Sequence, residues 1–163
     1  MKTGNRIMFS VLALAVMVVA AAPAFAQDKP ADNMQLVLQK LRADKKLLVA
    51  ENMELTEAEA KNFWPVYSRY QDELFLLRVR TAKLIKDFAD AYATMTNENA
   101  RTLLDEYLTI ESLGVMLRQA YLSEFRKALP EVKVARYYQV ENKIHAVLMY
   151  ELARNIPLVK AGK

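Results

Sequence analysis

The 163-residue chain carries 23 basic and 19 acidic side chains, a formal charge of +4, one histidine and no cysteine. Without cysteine there is no disulfide framework, thiolate metal site, c-type haem attachment or cysteine nucleophile. Its three glycines, Gly4, Gly114 and Gly162, stand far apart and make no phosphate-cradling loop.

The first 26 residues have the three parts of an export signal. Lys2 and Arg6 form a basic start, Ile7 to Ala22 an almost purely apolar stretch, and Ala24-Phe25-Ala26 an Ala-x-Ala cleavage pattern. Cleavage is expected after Ala26, with the periplasm as destination and no membrane span afterwards. The remaining 137 of 163 residues suffice for a single helical domain, residues 27–163. Loss of Lys2 and Arg6 lowers the basic count from 23 to 21 against 19 acids, a net charge of +2, which gives no basis for nucleic-acid binding.

In the mature sequence, Met34, Val37, Leu41 and Leu48 recur at helical spacing and predict a first helix over about 32–50, interrupted by Glu51-Asn52-Met53-Glu54. Thr56 and Glu59 then form a Thr-x-x-Glu capping box, the signature of a helix start. From Phe63 through Tyr67, Tyr70, Leu74, Leu77, Thr81, Leu84, Phe88 and Ala91 to Met95, a seam alternating by fours and threes predicts a helix over about 57–95. Pro65 lacks an amide donor, so a bend is expected near Trp64. A cap near Thr96 and a seam through Leu103, Tyr107, Ile110, Gly114, Leu117 and Tyr121 predict a helix over about 97–129. Gly114 on that stripe suggests close approach of another helix or a bulky ring. Pro130 suits the first turn of a fourth helix, about 130–155, which stops before Pro157. The fold class is all-α, four helices of which two are long, in an elongated bent-hairpin or cradle arrangement.

The helix over 57–95 has a second apolar feature besides its seam. Trp64, Phe75, Leu76 and Val79 lie among Arg78, Arg80, Lys83 and Lys86, away from the seam. Two readings follow: a central helix buried on both sides with its cations reaching water, or a surface used between molecules. For the second, these eight residues are the candidate client- or partner-binding set. Long helices in so short a chain also favour a homodimer.

No constellation for catalysis is visible. His145 stands alone, so no paired-histidine metal motif exists, and no metal or cofactor is expected. Ser68, Ser112 and Ser123 are mid-helix and without a nucleophile-elbow context, and the carboxylate pairs sit on charge-mixed helical faces. The expectation is a non-enzymatic binding protein.

The signal sequence, the short first helix and Leu55-Thr56-Glu57-Ala58-Glu59 at the start of a long helix resemble the Spy/CpxP group of small periplasmic stress proteins, whose motif is Leu-Thr-x-x-Gln. Leu55 and Thr56 fit that motif and Glu59 replaces its glutamine. At the expected second copy, Leu129-Pro130-Glu131-Val132-Lys133 has proline in place of threonine. The resemblance implies a cradle-shaped antiparallel dimer and an ATP-independent chaperone or envelope-stress role, with unfolded or partly folded envelope proteins as partners. The alternative is a regulatory or structural protein that binds one folded envelope partner, such as a sensor domain.

Overall fold

In the computed structural model, residues 43–160 are described. The signal sequence with its cleavage after Ala26, and the predicted start of the first helix near residue 32, lie outside them. The described chain is all-α: α1 (43–53), α2 (Glu57–Ala91), a single 3-10 turn (Tyr92–Thr94), α3 (Asn97–Ala128) and α4 (Glu131–Asn155). At 35 and 32 residues, α2 and α3 are the two long helices.

The starts of α2, α3 and α4 are each fixed by a local device. Thr56 and Glu59 form the capping box in both directions: the Glu59 amide donates to Thr56 Oγ1 and the Thr56 amide to Glu59 Oε2. Thr96 caps α3 by accepting from the Asn99 amide at 3.1 Å. Pro130 stands one residue before α4 rather than inside its first turn, and its carbonyl accepts from the Lys133 and Val134 amides. The Arg126 guanidinium spans this turn to Glu131 and holds that carboxyl below the usual glutamate range.

Two boundaries differ from the sequence reading. Helix α1 runs on through Asn52 and Met53, because Val49 and Met53 form a fully buried i,i+4 pair and the Asn52 side chain bonds the Leu48 carbonyl. It ends at Glu54, whose φ of 48° is left-handed, a conformation that costs a non-glycine residue roughly 1 kcal/mol. Helix α2 continues through Pro65 to Ala91, and its last predicted turn tightens into the 3-10 turn.

The chain divides into two compact units. The larger comprises Leu55–Val134 with the segment after Pro157, and its centre is the α2–α3 hairpin. Its core lies toward the α2 N-terminus, where Phe63, Val66, Tyr67 and Tyr70 meet Phe125 and Leu129. Tyr70 stands edge to face with Phe125 at 5.7 Å and with Tyr121 at 5.3 Å, and Phe63 lies tilted against Phe125 at 5.8 Å. Desolvation, followed by its bond to Glu73, pushes the Tyr121 hydroxyl up to about 12.

Among the described residues, the other unit comprises 43–54 and Ala135–Pro157. In it Val49, Met53 and Tyr137 are buried, and Lys45 reaches the largely buried Glu141 at 2.7 Å. Arg136 closes the end of α1, donating to the Asn52 carbonyl and pairing with Glu54 at 3.1 Å. One guanidinium thus satisfies an orphan carbonyl and holds the left-handed residue.

Candidate functional site

The two pentads that resemble the Leu-Thr-x-x-Gln motif are brought together. Glu59, last of the first, accepts from Lys133, last of the second, at 2.9 Å. Its carboxyl is held below the usual range first by the Thr56 amide and then by Lys133. Both residues are largely shielded, and the pair ties the start of α2 to the start of α4. This is a structural clasp between the two pentads.

The outward faces of the hairpin are different. Burial along the predicted α2 seam is complete at Phe63, Tyr67 and Tyr70 but only partial from Leu74 onward. Beyond that point the two helices leave large apolar side chains in solvent: Leu76 at 67% exposure on α2, and Leu104, Leu108 and Met116 at 56%, 53% and 62% on α3. Scattered exposed apolar residues are ordinary, whereas a line of them at helical spacing is a candidate interaction surface.

The structure distributes the eight sequence-predicted residues over three sides of α2. Leu76, Val79, Lys83 and Lys86 stand at intervals of three, four and three, all exposed, on the line that faces away from α3. Each lysine pairs with the aspartate four residues on, Asp87 or Asp90, in solvent. Trp64, Phe75 and Arg78 form a half-buried line on one flank, with Trp64 edge-on to Phe63 and Tyr67. Arg80 lies on the opposite flank and is committed inside the chain. Its guanidinium grips Glu106 of α3 with two hydrogen bonds, which hold that carboxyl below the usual range.

Among the described residues Gly114 does not have the close neighbour that the sequence suggested: a Cβ built there meets nothing within 4 Å, so no packing among them requires glycine. The sequence reading also missed the largest exposed line. Leu104, Leu108, Glu111, Val115, Arg118 and Leu122 repeat by fours and threes, one residue out of step with the seam that packs on α2. Their first four members are exposed and the last two half-buried. The repeat was available in the sequence, adjacent to the stronger one.

Among the described residues, no group of three or more histidine, aspartate or glutamate side chains is placed to hold a metal ion, and no helix is long and apolar enough to cross a membrane. In comparisons with known proteins, no family model matches the chain, and no curated protein or solved structure matches it at a significant level.

Proposed function

We propose that this protein is an exported, non-enzymatic binding protein that holds partly unfolded envelope proteins without ATP, a holdase of the kind the Spy/CpxP resemblance implies. The observation that carries this reading is the outward line of α2, where Leu76 and Val79 stand in solvent beside Lys83 and Lys86. Apolar side chains bounded by cations suit client segments that expose hydrophobic and acidic residues together. The two Lys–Asp pairs are solvent-exposed and therefore weak, so a client carboxylate can displace either aspartate.

The test is light scattering of several thermally or chemically denatured model clients with stoichiometric mature protein. Suppressed aggregation is expected, and unchanged aggregation of all clients sinks the reading. The combined substitution Leu76→Ser, Val79→Ser, Lys83→Glu and Lys86→Glu should weaken suppression while leaving helical circular dichroism intact. Arg80 is left unchanged in this variant because it holds α3 through Glu106. Crosslinking in cells should capture many partners. A single dominant folded partner would replace the holdase with a regulatory protein.

A further inference from the structure

We propose that the outward side of α4 is a docking surface for an anionic lipid bilayer, on which the helix lies along the membrane plane without crossing it. Arg136, Gln139, Lys143, Val147, Tyr150 and Arg154 follow one another at intervals of three or four, and all six are exposed. At 3.6 residues per turn they fall within about 80° of arc and form a line roughly 27 Å long. Val147 and Tyr150 are 40% and 64% exposed, whereas Tyr137, Glu141 and Glu151 of the same helix are buried.

The charges of α4 are sorted by side. Past its first turn the helix has two carboxylates, Glu141 and Glu151, and both are turned inward, the first of them paired with Lys45. Burying a carboxylate is costly, and the outcome is an outward line that carries cations and no acid. Arg136 is already held by Asn52 and Glu54, so the cations available to a partner are Lys143 and Arg154. On the α2 line, by contrast, Lys83 and Lys86 are each matched by an aspartate. The α4 line therefore suits a surface of continuous negative potential. Tyrosine between two cations is the pattern of a membrane interface: its ring enters the headgroup boundary while the lysine and arginine stems reach along it to the phosphates. Two apolar side chains in such a line give shallow burial. No helix among the described residues is long and apolar enough to cross a membrane. The residues are separate from the α2 line, and the proposal does not rest on the holdase reading.

The test is co-sedimentation of the mature chain with vesicles of phosphatidylglycerol and phosphatidylcholine in equal parts, against vesicles of phosphatidylcholine alone. Binding to the mixed vesicles is expected, with little on the neutral ones and about tenfold weakening as added salt screens the charges. Equal binding to both compositions, or none to either, overturns the proposal. Lys143→Glu with Arg154→Gln should lower partition onto the mixed vesicles more than about tenfold with helical circular dichroism intact. Should that variant lose helix, Lys143→Glu alone carries the same expectation at several-fold. Unchanged partition of a folded variant overturns the proposal.

The absence of cysteine makes the contact directly readable. Tyr150→Cys labelled with a polarity-sensitive fluorophore should shift to the blue on the mixed vesicles, and the same label at Leu76→Cys on α2 should not. A shift at position 76 and none at 150 places the lipid contact on α2 and sinks the proposal. Binding of inorganic phosphate or soluble polyglutamate through Lys143 and Arg154, without binding to vesicles, would assign the line to a free anion or an acidic polypeptide and overturn it too. Client-aggregation assays contain no lipid and report separately on the holdase.

Discussion

The two ends of the α2–α3 hairpin use the same heptad-like spacing for different purposes. At the end carrying Phe63, Tyr70, Tyr121 and Phe125, large rings fill the space between the helices and the pentads at Leu55 and Leu129 are clasped by Glu59 and Lys133. Toward the 3-10 turn Ile110 of α3 is buried, whereas Leu104, Tyr107 and Leu108 around it are exposed. The contrast is one of burial: packed rings at one end hold the hairpin together, which lets the other end expose apolar surface without unfolding.

The sharpest way to break this contrast is to truncate one residue at each end. Phe125→Ala removes a fully buried ring and should cost about 3–5 kcal/mol in urea unfolding, while Leu108→Ala, on an exposed line, should stay within about 0.5 kcal/mol in the single chain. Comparable losses at the two sites would mean that the outer line is covered within the chain. Thr56→Ala, which strips the capping box from the clasped end, should cost about 1 kcal/mol by the same measurement.

Toward the open end the effects reverse sign. Gly114→Ala adds a methyl group into open space within a helix and should stabilise the chain by up to about 1 kcal/mol. A loss there would reveal a neighbour pressed against α3. The smallest effect concerns acid. Glu59 has a lowered folded-state pKa, so the unfolded chain binds the extra proton first; the contribution is complete above the ordinary value of 4.5 and fades as pH falls through the folded value. Glu59→Gln should keep a capping box, since glutamine also serves at that position, but flatten this part of the acid limb in pH-dependent unfolding. An unchanged pH profile would show that the clasp is not charge-dependent.

Much of the frame was legible because helix boundaries are local chemistry. Thr56 with Glu59, Thr96 with Asn99, and Pro130 act within four residues of themselves, so α2, α3 and α4 begin within a residue of their predicted starts. The end of α1 was less legible, since burial of Met53 and the grip of Arg136 on Asn52 and Glu54 depend on residues far along the chain. The candidate surface was legible in composition but not in arrangement. The eight residues on α2 share a helix, yet only Leu76, Val79, Lys83 and Lys86 share its outward line.

The sequence by itself determined an all-helical chain, its helix starts, and two competing 4-3 repeats on α3 separated by one residue. Periodicity records that a helix has apolar sides; it holds no information on which side meets a neighbour. Only the tertiary structure decided that Ile110 is buried and Tyr121 packs on α2 while Leu104, Leu108 and Val115 stay exposed, because that choice depends on how side chains some 30 to 60 residues apart fit together. The same non-local fit assigned Arg80 to Glu106 and Glu59 to Lys133, at separations of 26 and 74 residues that no local spacing rule can reach.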